Sequence, residues 1–290
     1  MTDTTVTTLR SDALTAEIAD LGAELQSLTF AGRPLLWTGD AAWWAGRSPI
    51  LFPIVGRAPG DTVAAGGVTA EMKQHGFARR SGWDRVAATA AAVTHRLAAS
   101  DATRAVYPFD FRLTLTHALA GATLAVTAEV TNDGAAEMPF GLGFHPAFLW
   151  PLPGATGPHE VVLANGAEPA LHRLDDGLFV PAPLPSPFRR GRYVPEARDF
   201  DADAMVFPAD AGDALRYTAP GAPRLSFRFD NLPNLALWQK PGAPFLCIEP
   251  WHGTAATVGA GPEIAARPFT TRLAPGATAR FGWSLTVTDS

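Results

Sequence analysis

In several segments spread over the whole chain, apolar and polar side chains alternate with a period of two, and this pattern constrains the fold more than any other feature. Successive side chains of a strand point to opposite faces, so such alternation marks strands with one face buried. Leu113, Leu115, His117 and Leu119 share one face, while Thr114 and Thr116 take the other. Leu124, Val126, Ala128 and Val130 repeat the pattern, and Asn132-Asp133-Gly134 then supplies a turn that tolerates positive φ. Leu225, Phe227 and Phe229 alternate with Ser226 and Arg228; Phe281, Trp283, Leu285 and Val287 alternate with Gly282, Ser284 and Thr286. No composition break or internal repeat divides these segments. We therefore expect an all-β fold: a large antiparallel β-sandwich with few short helices, formed by residues 1–290 as one domain.

Three stretches depart from this pattern. The alanine-rich run from Arg85 to Ala99 scores as helix on propensity, although its valines and leucine make no helical stripe. Asp40–Ala45, with its Trp43-Trp44 pair, is a second candidate helix. Pro151 to Pro195 is rich in proline and reads as long surface loops.

Composition excludes several functions. Hydrophobic residues at 47% can build a sizeable core, and 18% charge is too little for a disordered chain. Net charge is −5 and no basic cluster exceeds Arg79-Arg80 or Arg189-Arg190, which argues against nucleic acid as a partner. The single cysteine, Cys247, precludes an intrachain disulfide and a cysteine-rich zinc site. With no signal-peptide pattern and no transmembrane run, we expect a cytoplasmic protein without a membrane partner. Only Lys73 and Lys240 are available for Schiff-base chemistry, and no GxSxG, Walker or GxGxxG motif occurs. Asp199, Asp201 and Asp203 begin like a calcium loop, but Ala204 stands where the turn needs Gly and Asp210 where it needs Glu.

Three segments set a titratable group among apolar residues and beside Gly or Pro, surroundings that move pKa values toward neutrality. They are Gln74-His75-Gly76-Phe77-Ala78-Arg79, Gly143-Phe144-His145-Pro146-Ala147-Phe148 and Cys247-Ile248-Glu249-Pro250-Trp251-His252-Gly253. Read singly, each fits a hydrogen-bonded core residue or a buried salt bridge as well as a site. Phe52-Pro53-Ile54-Val55-Gly56-Arg57 precedes them. Four such segments in this order resemble the signature of the aldose 1-epimerase (galactose mutarotase-like) family, and the resemblance runs from Leu21-Gly22-Ala23 to the last strand.

The resemblance implies a sugar-binding cleft on one sheet of a large antiparallel sandwich. It implies Glu249 as general base, His145 as general acid, and His75 as the histidine that polarises the ring oxygen or neighbouring hydroxyls. It implies Arg57 and Asp203 as substrate-binding residues. Trp251 and Phe144 could offer an apolar face to the sugar, and Arg79 with Arg80 could hold a phosphate. A salt bridge to Asp84 or Glu71 is the alternative for both arginines. His117 reads as a core histidine, His252 has no assigned role, and Cys247 reads as buried and inert.

Anomer interconversion needs one proton removed from the C1 hydroxyl and another delivered to the ring oxygen. A carboxylate and an imidazolium on opposite sides of the anomeric centre suffice, each contributing about 10²–10⁴-fold. No cofactor or metal is required. The implied enzyme is an isomerase acting on a small sugar, as monomer or homodimer. Its alternatives are a hexose-6-phosphate mutarotase, a non-catalytic carbohydrate-binding or sensing protein, and a metal enzyme using His75, His145 and Glu249 as ligands.

Overall fold

The alternating segments become the long strands of a nine-stranded antiparallel sheet in the computed structural model, which describes residues 5–289. From edge to edge the strands are Arg192–Tyr193, Glu160–Leu163, Ala214–Thr218, Arg224–Asp230, Thr278–Thr288, Thr123–Asn132, Phe111–Ala120, Ala92–Ala98 and Asp84–Ala88. In Phe111–Ala120, Leu113, Leu115, His117 and Leu119 are all buried. The outer face carries cross-strand threonine pairs at 2.9 Å, Thr94–Thr116, Thr123–Thr286 and Thr131–Thr278. Gly134 N–H donates to Asn132 Oδ1 at 3.0 Å, closing the expected turn.

A six-stranded antiparallel sheet faces it, ordered Met205–Phe207, Asn234–Trp238, Phe245–His252, Leu142–Phe144 and Ile50–Leu51, with Ala147–Leu149 also paired to Phe245–His252. Aromatic contacts join the two sheets: Phe148 on Phe227 at 5.1 Å and Phe144 on Trp283 at 6.4 Å. The main core lies between them. Strands hold 47% of the residues and helices 6%, so the all-β sandwich expectation stands. A four-stranded sheet over Val6–Arg10, Leu14–Ala19, Leu25–Phe30 and Arg33–Pro34 packs Leu9, Ile18 and Leu28 into the same core. No helix among the described residues is long and apolar enough to cross a membrane.

The helix suggested for Arg85–Ala99 is instead a hairpin, Asp84–Ala88 and Ala92–Ala98. Val93, His95 and Leu97 are buried at alternate positions against Phe111–Ala120, and that pairing overrides alanine's helical preference. Thr89 turns the hairpin, its hydroxyl accepting from Ala92 N–H at 3.0 Å. The only α-helix among the described residues is short, Asp101–Arg104, with Ser100 and Thr103 forming a reciprocal cap. At Asp40–Ala45 there is a single turn, with the N–H groups of Trp43 and Trp44 both donating to Asp40 O. Between Pro151 and Pro195 the loops enclose short strands, among them Leu174–Asp175 and Leu178–Phe179.

Candidate active site

The strand Phe245–His252 sorts its side chains by parity. Leu246 and Ile248 enter the main core, whereas Cys247, Glu249 and Trp251 take the opposite, outer face of the six-stranded sheet. Two strands pair along one edge of it, Gly143 opposite Trp251 and Ala147 opposite Cys247. The same register carried through the intervening kink at Pro146 sets His145 opposite Glu249. His145 Nε2 lies 3.3 Å from Glu249 Oε2. Gly143 is required here, because a Cβ would sit 2.5 Å from the Trp251 ring. On the other side Ala236 opposes Glu249 and leaves room above the carboxyl.

His75 arrives from a loop instead of a strand. It has a left-handed backbone (φ 68°), and Gly76 follows at φ 70°. A side chain at Gly76 would meet Phe52 O at 2.2 Å, so the loop needs glycine there. Gly56 grips His75 twice: His75 N–H donates to Gly56 O at 2.9 Å, and Gly56 N–H donates to His75 Nδ1 at 3.0 Å. Accepting at Nδ1 leaves the ring proton on Nε2 and keeps the imidazole neutral. The ring packs edge-on against His145 with centroids 5.6 Å apart.

These three residues meet in a cleft of about 400 Å³, whose walls also include Arg79, Arg80, Asp203 and Trp251. Arg79 is half-buried and, among the described residues, forms no ion pair or hydrogen bond through its side chain. Arg80 donates to Gly76 O at 2.9 Å. Neither arginine bridges to Asp84 or Glu71; Asp84 faces Arg96 at 3.7 Å. Arg57 does not line this cleft. Its guanidinium is committed to Asp61 at 2.8 Å and Asp176 at 2.6 Å, beside an adjoining cavity that shares Gln74, Arg80, Leu174 and Asp203 with the cleft. Asp199 is not a calcium ligand in waiting, since its carboxylate accepts from Tyr193 O–H and Glu196 N–H. His252 points away from the cleft and packs on Phe281.

Sequence reasoning singled out Trp251, which lines the cleft, and Phe144, which packs into the main core instead, but missed the other aromatic walls. Trp44 stacks on His145 at 4.9 Å with a 31° tilt, and Trp238 meets the same ring edge-on at 5.6 Å. Glu24 anchors the Trp44 loop by accepting from the N–H groups of Arg47 and Ser48, at 2.7 and 2.9 Å. Gln74 and Lys240, named in the sequence but given no role in the site, and Phe179, not named, are further wall residues. Lone aromatics carry no spacing signal, and Asn234–Trp238 is buried on both faces, so it offers no alternation to expose Trp238.

Burial dominates the electrostatics. Glu249 is 1% exposed and His145 and His75 are 7% exposed. Burial, reinforced by Asp203, raises the Glu249 pKa well above the ordinary carboxyl range, while Arg79 pulls the other way. Burial and the field of Arg79 depress His145, and burial with the neighbouring His145 depresses His75. Glu249 Oε2, His145 Nδ1 and Trp251 Nε1 are buried without a hydrogen-bond partner, so the pocket holds unspent polar capacity for a ligand. The residues placed for a metal are His145, Cys247 and Glu249, whose ligand atoms lie within 4.8 Å of one another; Cys247, and not His75, is the third member.

A set of this kind can take a proton from one oxygen and give one to another. Comparison with known proteins identifies the family. The curated relative LacX of Lactococcus lactis, in plasmid and chromosomal forms, is 26% identical over 96% of this chain and 98% of its own length. A galactose mutarotase-like protein from Lactobacillus casei superposes with a TM-score of 0.88 at 26% identity, covering 98% of this chain and all of its own. The galactose mutarotase related enzyme of Lactobacillus acidophilus shares the fold with a TM-score of 0.91 at 24% identity, over 98% of both chains. Residues 5–176, more than half of the sequence, match the aldose 1-epimerase family. The chain belongs to the aldose 1-epimerase family of isomerases.

Proposed function

We propose that the protein is a mutarotase that interconverts the α and β anomers of a hexose, with Glu249 as base and His145 as acid. The observation that carries this reading is the buried His145–Glu249 contact, 3.3 Å long and opening onto the cleft. Glu249 removes the C1 hydroxyl proton as the bond from C1 to the ring oxygen breaks. His145 delivers its proton to that oxygen, giving the open-chain aldehyde. Rotation about C1–C2 turns the other carbonyl face to the new hydroxyl, and closure runs both transfers backwards.

The two groups stand side by side on one sheet face, not on opposite sides of the anomeric centre as the sequence suggested. That arrangement suits the chemistry, because the hydroxyl and ring oxygens are both bonded to C1. The pair holds one proton throughout: carboxylate with imidazolium before ring opening, carboxyl with neutral imidazole after it. Burial favours the second, uncharged form and so lowers the cost of the open-chain stage. A sugar hydroxyl donating to Glu249 favours the first; Arg79 favours the carboxylate but opposes the imidazolium. His75, held neutral by Gly56, donates from Nε2 to a sugar oxygen, and Trp44, Trp238 and Trp251 cover the apolar ring faces.

A hexose 6-phosphate is the nearest variant. It is favoured by Arg79 and Arg80, which line the cleft without being spent on Asp84 or Glu71. The test is polarimetry or NMR exchange on freshly dissolved α-anomers of glucose, galactose and their 6-phosphates. Catalysed exchange of any of these supports the mutarotase reading, and the preferred sugar decides between the variants. Binding of these sugars without acceleration would make the protein a carbohydrate sensor instead.

A further inference from the structure

Cys247 takes no part in these proton transfers, yet it stands two residues from Glu249 on the same strand face, fully buried. Its Sγ, a ring nitrogen of His145 and a carboxylate oxygen of Glu249 fall within 4.8 Å of one another. Tetrahedral bonds of 2.0–2.3 Å set ligand atoms roughly 3.3–3.8 Å apart. The His145–Glu249 separation of 3.3 Å is already in that range, and the widest pair needs to close by only about 1 Å. Glu249 Oε2 is buried without a hydrogen-bond partner beside His145 Nε2, so lone-pair capacity is free at the carboxylate.

We propose that the active-site pair doubles as an inhibitory site for a thiophilic divalent cation such as zinc, held by Cys247, His145 and Glu249 with a fourth position open to the cleft. Sulfur, nitrogen and oxygen donors together select zinc or cadmium over magnesium or calcium. A thiolate and a carboxylate bring two negative charges against the ion's two positive ones, so the buried site is neutral overall. The protons displaced from the thiol and from the pair pass to solvent. Once coordinated, Glu249 cannot accept the C1 proton, and the ion and the sugar compete for the same atoms. Inhibition rests on the catalytic reading above; cation binding does not.

The test titrates zinc against chelator-treated full-length protein, following anomer exchange, while cobalt absorbance reports the ligands independently. We expect full activity after chelation, zinc inhibition that sugar relieves and chelator reverses, and no response to magnesium. Cobalt should show the intense near-ultraviolet thiolate band. Cys247→Ser and Cys247→Ala should retain most activity, lose that band and need at least about tenfold more zinc for inhibition, the least that losing a ligand should cost. Unchanged zinc sensitivity in either variant, or no thiolate band in the wild type, overturns the proposal. Activity lost to the chelator and restored by zinc overturns the inhibitory sense. If neither alanine nor serine is tolerated in the fold, the wild-type cobalt band decides cation binding, and it does so even if no sugar is turned over.

Discussion

Buried histidines cluster at each of the two large sheets, and only one of the two clusters lines the cleft. On the nine-stranded sheet, His95 and His117 occupy neighbouring strands; His95 Nε2 meets Asp20 at 3.0 Å. His117 is 3% exposed, and burial together with His95 depresses its pKa to about 3. On the six-stranded sheet His145 is equally buried and equally depressed. In both clusters a ring Nδ1 is left without a partner. The difference is access and company. His117 packs among Leu113, Leu115 and Leu119, whereas His145 shares a cleft with two carboxyls, two arginines and four tryptophans. Burial and a displaced pKa therefore do not by themselves mark a site; an open space and a partner that can exchange the proton do.

The largest effect expected from this contrast is at Glu249. Glu249→Gln should lower turnover by about 10²–10⁴-fold in polarimetry, because the amide keeps the shape but accepts no proton. Half-retained activity would remove Glu249 from the mechanism. The same variant should gain stability relative to the wild type as pH rises. A carboxyl whose folded pKa is raised makes the folded state hold the proton while the unfolded chain loses it above about pH 4.5. Wild-type stability then falls as pH climbs toward the folded value, and glutamine escapes that loss. Melting curves at pH 5 and pH 8 should show the gap widening at pH 8, at about 2–4 °C per kcal/mol. Next in size is Arg79→Ala, which should lower kcat/KM by about ten- to hundredfold, the worth of one charged hydrogen bond to substrate. An unchanged value would make Arg79 a bystander of the cleft. On the other sheet, His117→Leu should alter activity less than about twofold and leave stability equal or higher, since it removes a buried imidazole with an unsatisfied nitrogen. Strong loss of activity there, with the fold intact, would break the contrast between the clusters.

How far the sequence reveals these regions follows from the same geometry. Strands of the nine-stranded sheet have one solvated face, so Leu113 to Leu119 and Phe281 to Val287 announce themselves by alternation. Ile50–Leu51 and Leu142–Phe144 are buried on both faces and only two or three residues long, so they give no periodic signal. Glu249, His145 and His75 are legible through the four ordered segments, although their register is not. Arg57 belongs to one of those segments, yet Asp61 four residues on and Asp176 from a distant hairpin capture its guanidinium. Trp44 and Trp238 reach His145 through tertiary contacts that no local pattern encodes.

The smallest expected effect is a flat line, and it tests whether the cleft pair behaves as one proton-sharing unit. Activity requires one proton on the pair, wherever it rests. An acid limb appears when a second proton adds, and burial moves that event downward by depressing His145. A basic limb appears when the last proton leaves, and burial moves that event upward by raising Glu249. The limbs are thus pushed apart, and both belong to the pair and not to either residue. With the uncatalysed rate subtracted, kcat/KM should vary less than about twofold between about pH 6 and pH 8. His145→Asn breaks the unit, leaving a low residual activity that follows the carboxyl of Glu249 alone and rises with pH. A steady wild-type rise from about pH 5 to pH 9 would mean that a lone carboxylate does the work, and His145 would lose its role as the acid.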